Sequence, residues 1–347
     1  MKTFVKNPLL LLATCLALIP PGRATAQTFT SLHNFTGGSD GSVPYVGVVI
    51  SGDTLYGSAN SGGTNGNGVV YAIKTNGVGF TVLHDFMAAS DGANPNELIL
   101  SGDTLYGTAS SGGSSGKGTI FSIKTNGLNF TVLYTFTNGT SSDPKGALIL
   151  LGNTLYGVAG GISDLGTVFK VDANGNNFTT LHSFTGTGGE GGHPGAGLVL
   201  SGNTLYGTTS SGSAVIDGYV SAGTIFAIGT DGNNFTTLHS FPGGYYAGNP
   251  YCQLVLSGNV LYGTTFGGGG DLINHGTLFS VEINGNNFTT LHNFMDTDGA
   301  NPYAGLILSG NTLYGTSSCS DVGTPGTVFS VKTDGSGFTV LYSFTGG

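Results

Sequence analysis

The sequence is poor in charged and reactive side chains. It lacks tryptophan, and its 347 residues include three cysteines and a single arginine, Arg23. Charged residues make up 8% of the chain, whereas about a quarter is usual. The shortage of arginine argues against nucleic acid and anionic membranes as partners, because both are recognised by basic side chains. Three cysteines are also too few for a small fold held together by disulfides.

Apolar and aromatic residues are nevertheless abundant. Apolar residues reach 38%, and 21 Phe and 15 Tyr supply large side chains for a core, which excludes disorder driven by charge repulsion. Glycine is the most unusual component, with 64 residues, but it does not follow the three-residue period of collagen. The composition therefore indicates short strands joined by many tight turns.

The first 26 residues have the pattern of a secretory signal peptide. A basic start precedes an apolar stretch, residues 9–19, that is too short to span a bilayer. Small residues in Ala24-Thr25-Ala26 favour cleavage near Ala26. We therefore predict a single mature domain, residues 27–347, with six lysines, 18 acidic residues, a net charge of −12 and no transmembrane helix. The predicted location is secreted, either extracellular or periplasmic.

A repeat of about fifty residues organises the rest of the chain. Four segments recur in order and are named A to D: an aliphatic run, L-Y-G, G-T-[IVL]-F and F-T-x-L-[HY]-x-F. Each predicts a short strand with alternating faces, so that Val82 and His84 share one side and Leu83 takes the other. Gly-Asn or Gly-Asp pairs between A and B predict two-residue hairpins. Six complete units follow one additional D segment at Phe29–Phe35.

Four antiparallel strands per unit, repeated six times, predict an all-β fold: a β-propeller of about six four-stranded blades. We expect strand B to be an interior strand whose glycine allows close blade-to-blade approach. The seventh D segment leaves two arrangements open. In the first, Phe29–Phe35 and Phe338–Phe344 compete for strand D of the sixth blade, so that one occupies this place and the other adds as an extra edge strand. In the second, a seventh blade is incomplete.

The combined pattern P-x-x-x-L-I-L-S-G-x-T-L-Y-G-T, G-T-V-F-S-V and G-x-x-F-T-x-L-H-x-F resembles a known tandem repeat. It is the repeat of secreted bacterial proteins called GloVer-containing, or Gloeo_Verruco repeat, proteins, and the resemblance covers residues 28–347. The resemblance implies an exported β-propeller. It brings no catalytic residues that could be transferred to this sequence.

The candidate functional face is the end that carries the D–A and B–C loops, because these loops hold most of the sequence variation. Tyrosine follows the proline before strand A in units one, five and six, at Tyr45, Tyr251 and Tyr303. These units become neighbours when the ring closes, which predicts an aromatic arc at the channel mouth, flanked by Asp40 and Asp298. Flat aromatic surfaces beside hydrogen-bond acceptors suit sugars. The alternative is that the tyrosines only pack at the start of strand A.

Other candidate sites lie at the same end. The acidic residues before the prolines could hold a cation such as calcium, but the D-x-D-x-D spacing of a calcium loop is lacking, so we predict no cofactor. His275 and Asp271 form a candidate acid–base pair. Cys252 and Cys319 lie in adjacent units of an exported chain and could form a disulfide.

Three functions fit these features. The first is a binding or scaffolding module for a polysaccharide or a surface protein. The second is a structural, self-associating surface protein, and the third is a carbohydrate-active enzyme, a glycosidase or lyase, that uses two carboxylates. No catalytic constellation stands out in the sequence, so we favour a binding module over an enzyme.

Overall fold

The computed structural model describes residues 30–137, 141–160, 164–212, 215–216, 219–220, 222–242, 248–268, 275–318 and 326–344. Strands in these ranges form six sheets with the antiparallel order A–B–C–D, and the sheets are the blades of a six-bladed β-propeller. The predicted fold class is confirmed. The same ranges contain no helix, and hence none that is long and apolar enough to cross a membrane.

The strands of the blades have the following bounds. Blade 1 consists of β1 (Val49–Ser51), β2 (Thr54–Ala59), β3 (Val69–Lys74) and β4 (Thr81–Asp85). Blade 2 consists of a short additional strand, β5 (Ala93–Pro95), followed by β6 (Ile99–Ser101), β7 (Thr104–Ser111), β8 (Thr119–Lys124) and β9 (Thr131–Thr135). Blade 3 consists of β10 (Pro144–Leu151), β11 (Thr154–Ala159), β12 (Thr167–Asp172) and β13 (Thr179–Ser183).

The second half repeats this order. Blade 4 consists of β14 (Val199–Ser201), β15 (Thr204–Thr209), β18 (Thr224–Gly229) and β19 (Thr236–Ser240), with a hairpin of β16 (Val215–Ile216) and β17 (Tyr219–Val220) in its B–C loop. Blade 5 consists of β20 (Val255–Ser257), β21 (Val260–Thr265), β22 (Thr277–Glu282) and β23 (Thr289–Asn293). Blade 6 consists of β24 (Ile307–Ser309), β25 (Thr312–Ser317), β26 (Thr327–Lys332) and β27 (Thr339–Ser343).

Each A–B connection is a two-residue hairpin. In blade 1 Ser51 pairs with Thr54, which leaves Gly52 and Asp53 as the turn, and Gly52 has a φ of 59°. A positive φ at the first turn residue is what a type II′ turn requires, and the twist of that turn matches the flanking strands. The predicted hairpins are therefore confirmed.

Strand D departs from regular alternation at its leucine. In blade 1 Val70 pairs with His84 and the next residue, Tyr71, pairs with Val82, so Leu83 is the extra residue of a β-bulge. The same register shift occurs in the other five blades. The prediction of regular alternation is wrong here, because the bulge bends the strand and sets Leu83 against Gly127 in the C–D turn of the next blade.

The hydrophobic core lies between consecutive blades. Tyr56 and Val70 of blade 1 pack with Leu98, Leu105 and Phe121 of blade 2. Corresponding clusters join blades 2 and 3, 3 and 4, 4 and 5, and 5 and 6. Burial of this apolar surface is the main source of stability, since the hydrophobic effect scales with the area removed from water.

The glycine of strand B makes room for an aromatic ring of its own blade. In blade 3 Gly157 pairs with Phe169 of strand C. A Cβ on Gly157 would lie 2.6 Å from Phe169 Cζ and 2.8 Å from Leu148 Cδ2. The expectation that this glycine serves blade-to-blade approach is therefore wrong, because the side chains that cross it belong to the same sheet.

Gly157→Ala is expected to lower the free energy of unfolding by about 2 kcal/mol, because the added methyl group displaces the buried Phe169 ring. Chemical denaturation measures the loss. Gly195→Ala is the matched control, since its Cβ would meet nothing closer than Tyr251 Cδ1 at 3.7 Å. Equal losses in the two variants would contradict the role assigned to Gly157.

The additional D segment does not form a strand in its described part. Phe29 lies outside the described residues. Residues 30–35 form no strand, and among the described residues no strand C pairs with them. The prediction of a strand is wrong for these residues. They lie beside blade 1, where His33 stacks on Phe80 with ring centroids 3.8 Å apart and Phe35 packs against a cluster that includes Tyr71. Each complete blade takes strand D from its own unit.

Candidate functional site

A repeated turn before each strand A fixes the position of the residue that follows the proline. The residue before that proline has a φ between 42° and 59° in every unit, at Val43, Asn94, Asp143, His193, Asn249 and Asn301. Asparagine tolerates this left-handed region better than most residues. The three asparagine side chains also donate Nδ2–H to the backbone oxygens of Asn60, Ser210 and Phe266 in the preceding blade. The D–A loop of one blade is thereby fixed to the B–C loop of the blade before it.

Two of the predicted tyrosines form an aromatic patch, defined here as Tyr251, Phe266 and Tyr303. The Tyr251 and Tyr303 rings are stacked, with centroids 5.3 Å apart and an interplanar angle of 24°. The Phe266 ring meets both edge-on, at 5.9 Å from Tyr251 and 6.3 Å from Tyr303. Tyr303 is 55% exposed and Phe266 39%. The patch therefore combines mutual ring contacts with a face open to solvent.

Tyr45 keeps an exposed ring while its hydroxyl is anchored. The residue is 58% exposed. Its hydroxyl donates to Asn96 Oδ1 and accepts from Asn60 Nδ2, both at 3.4 Å. Burial raises the pKa of Tyr45, and the nearby Tyr303 and Asp143 raise it further. Tyr45 in blade 1 therefore lies within electrostatic reach of Tyr303 in blade 6.

Two carboxyl groups near strand A, those of Asp143 and Glu97, have raised pKa values. Burial raises the pKa of Asp143, against the opposing effect of Lys145, whose Nζ lies 3.3 Å from Asp143 Oδ2. Burial also raises the pKa of Glu97, whose carboxylate lies against the backbone of Gly47. Carboxylates with raised pKa values are concentrated at functional sites. Asp143 is one of the acidic residues before the prolines that the sequence indicated, whereas Glu97 was not indicated because no other unit has an acidic residue at its position.

The structure places Asp40 and Asp298 beside the histidines of the D segments. Asp40 Oδ2 lies 3.1 Å from His33 Nε2 and accepts the backbone N–H of Thr36 at 2.9 Å. Asp298 Oδ2 lies 2.8 Å from His292 Nε2. The Thr36 hydroxyl is the main cause of a lowered pKa of Asp40. Strands A and D form opposite edges of each sheet, so these carboxylates hold the D–A loops rather than joining the aromatic patch.

The histidine–acid pair is a repeated feature that the sequence analysis missed. Its members lie 2.8–3.1 Å apart, as His33–Asp40, His84–Asp91, His182–Glu190 and His292–Asp298. Each histidine also stacks on the first phenylalanine of the next D segment, with centroids 3.6–3.9 Å apart. The spacing within a pair varies from six to eight residues, which obscures the pattern. The recurrence of one acid after each of these histidines was the available signal.

Two further predictions extend beyond the described residues. Cys252 is buried, its Sγ accepts the Thr264 N–H at 3.0 Å, and burial raises the pKa of its thiol. Cys319 lies outside the described residues, so the disulfide stays a prediction. Asp271 also lies outside them, while His275 Nε2 lies 2.9 Å from Asp296 Oδ1. In the part of the chain that the structure describes, no group of three or more His, Cys, Asp or Glu side chains could hold a metal ion.

The sequence matches the Gloeobacter/Verrucomicrobia repeat over residues 22–221 and 214–347, which together span most of the chain. The chain belongs to this repeat family. The predicted resemblance is confirmed. No curated protein matches the sequence.

Similar solved structures support the same fold. The chain is similar to an oligogalacturonate lyase in complex with manganese, with a TM-score of 0.55, 13% identity and coverage of 87% of this chain and 77% of that one. It is also similar to a chain of a nidogen/laminin complex, with a TM-score of 0.50, 15% identity and coverage of 80% of this chain and 90% of that one. One is an enzyme and the other belongs to a protein–protein complex. At such low identity the likeness shows the propeller fold alone.

Proposed function

We propose that this repeat protein is an exported binding module that recognises a polysaccharide through the aromatic patch and Tyr45. The observation that carries the proposal is the stacked pair of Tyr251 and Tyr303, with centroids 5.3 Å apart and a ring of Tyr303 that stays more than half exposed. Exposed aromatic surface in contiguous patches marks interaction sites. Export rests on the predicted signal peptide.

The chemistry around the patch favours a sugar over a purely apolar ligand. One face of a pyranose ring is apolar and stacks on an aromatic ring, while its hydroxyls require donors and acceptors. Near Tyr45, the Asn60 amide, the Asp143 carboxylate and the Lys145 ammonium supply both kinds of group. Acidic residues outnumber basic ones by 18 to 9, so repulsion favours a neutral polymer over a polyanion.

Tyr303→Ala is expected to abolish polysaccharide binding while lowering the melting temperature by only a few degrees, because the ring is largely exposed. Native affinity electrophoresis through gels that contain starch, laminarin, xylan, galactomannan or alginate measures binding. The wild-type protein should be retarded by at least one of the neutral polymers. Tyr303→Phe keeps the stacking face and should retain most of the retardation.

Tyr314→Ala is the matched control, since Tyr314 is an exposed tyrosine in strand B of the same blade. Its mobility should equal that of the wild-type protein in every gel. Undiminished retardation of Tyr303→Ala, together with a melting temperature several degrees lower, would assign Tyr303 to packing and remove the main support for sugar binding.

A carbohydrate-active enzyme is the second candidate, favoured by the raised pKa values of Asp143 and Glu97. A raised pKa favours the protonated form of a carboxyl group, which is the form that a general acid requires. Reducing-sugar release from the polymer that binds tests this activity. If Asp143→Asn or Glu97→Gln abolishes the release of reducing sugar while the protein is still retarded in the gel, the result would favour the enzyme. If the wild-type protein releases no reducing sugar, hydrolysis or lysis of that polymer is excluded.

A further inference from the structure

The junction between blade 6 and blade 1 differs from the five junctions between consecutive blades. At those five, the proline before strand A of the later blade packs on the glycine that begins strand C of the earlier one. The proline Cδ lies 2.4–2.8 Å from the place of a Cβ on that glycine, at Gly68, Gly118, Gly166, Gly223 and Gly276. At the equivalent Gly326 the nearest atoms belong to Ser317 and Ser318. Pro44 of blade 1 therefore does not pack on blade 6 in this way.

The face of blade 6 that would meet a following blade is exposed and apolar. Tyr314 in strand B is 37% exposed, whereas Tyr262, at the same position in blade 5, is 6% exposed. Ile307 in strand A and Leu341 in strand D are 70% and 48% exposed. Their equivalents in blades 1 to 5 are half-buried. The repeat thus places on blade 6 the same contact surface that the other blades bury.

The face of blade 1 that would meet a preceding blade is also exposed and apolar. Val48 is 49% exposed, although its equivalents in the later blades are buried, at Leu98, Leu148, Leu198, Leu254 and Leu306. Ile50, two residues further along, is 60% exposed. Burying such side chains is favourable, because it removes apolar surface from water. Both faces therefore have the composition of a blade interface without its partner.

Residues 30–35 already take the place of a strand D ahead of blade 1. Leu32 lies against Gly77 as Leu83 lies against Gly127 in the next unit. His33 stacks on Phe80 and pairs with Asp40, which are the contacts that His84 makes in the following unit. The segment therefore makes with blade 1 the contacts that strand D of a preceding blade would make.

We propose that this junction binds three more strands, the A–B–C meander of one further repeat of this family, which completes a blade with residues 30–35 as its strand D. The occupant must be apolar on both faces, because it meets blade 6 on one side and blade 1 on the other. Strands A to C of the repeat have this property. In blade 2, for example, Leu105 packs toward blade 1 and Ile120 toward blade 3, and both are fully buried.

The test extends the full chain after Gly347 with a copy of residues 90–124, which carries the rest of a D–A linker and strands A, B and C of unit 2. The extended protein should melt several degrees above the unextended one. Backbone amides of residues 31–35 and 339–343 should exchange with deuterium about tenfold more slowly, because they gain ladder partners or a covering blade. A control extension of equal length replaces the copies of Leu105 and Phe121 by serine.

The control extension should give neither effect, since it cannot fill the apolar junction. Equal melting temperatures and equal exchange rates in the two extended proteins would overturn the proposal. Light scattering on the unextended chain adds an independent outcome. If the unextended chain dimerises, if Ile307→Asp abolishes the dimer, and if the extension raises neither the melting temperature nor the protection from exchange, the two faces bind a second copy of the chain. That result would also overturn the proposal.

Discussion

Tyr262→Ala is expected to lower the free energy of unfolding by about 3 kcal/mol, and Tyr314→Ala by only about 1 kcal/mol. The two tyrosines occupy the same position of strand B, in blades 5 and 6. Tyr262 is 6% exposed because blade 6 covers it, and Tyr314 is 37% exposed. The chemical change is identical, so the difference reports the burial that a following blade provides.

Urea denaturation of both variants and the wild-type protein measures these losses. Tyr206→Ala is a second buried control, since Tyr206 is covered by blade 5. It should behave like Tyr262→Ala. A loss in Tyr314→Ala as large as in the two buried variants would contradict the exposed face of blade 6.

Acidification is expected to destabilise the protein through His239. Its ring stacks on Phe288 with centroids 3.7 Å apart, and burial lowers the pKa of His239 to about 4. An unfolded chain has a histidine pKa of about 6.5, so the unfolded state binds a proton that the folded state does not. The stabilising effect is complete above about pH 6.5 and is lost as the pH falls toward 4. The ring also borders a cavity of about 300 Å³, where solvent screens part of the effect. The expected loss of stability is therefore about 1–2 kcal/mol.

His239→Tyr is the matched variant, because the repeat itself carries tyrosine at this position. Tyr134 stacks on Phe178 with centroids 3.8 Å apart, which shows that the site accepts a phenol ring. Free energies of unfolding of both proteins are measured between pH 7 and pH 4.5. The wild-type protein should lose about 1–2 kcal/mol more than the variant over this interval. Parallel pH curves would contradict the assignment to His239.

The fold was predictable because its determinants are local and repeated. Glycine at the first turn position and alternating apolar residues specify each hairpin. Because the pattern recurs in six units, a departure in one unit does not obscure it. The bulge at Leu83 was not predictable in the same way, since the alternating pattern of strand D does not show where an extra residue interrupts the pairing with strand C. The role of the glycine of strand B was misjudged because the pairing of strands B and C does not reveal which side chain lies over it; in blade 3 this is the Phe169 ring.

The candidate site was predictable only in part. Tyr251 and Tyr303 are 52 positions apart, and one repeat per blade brings them into contact once the blades are neighbours. Asp40 and Asp298 were expected beside these tyrosines. Each of them instead contacts the histidine of the D segment that precedes it in the chain. The exposed junction could not be deduced from the repeat, which supplies the same apolar residues to every blade whether or not a partner follows.

The most direct test of polysaccharide binding by the aromatic patch is a titration followed by NMR of ¹³C-labelled tyrosine rings. The chain has 15 tyrosines, and single Tyr→Phe variants assign Tyr45, Tyr251, Tyr303 and Tyr314. On addition of oligosaccharides from the polymer that retards the protein, the resonances of Tyr251 and Tyr303 should shift most, with a smaller shift at Tyr45 and none at Tyr314. Failure of all five polymers to bind, or shifts at Tyr314 with none at Tyr251 and Tyr303, would contradict the proposed site.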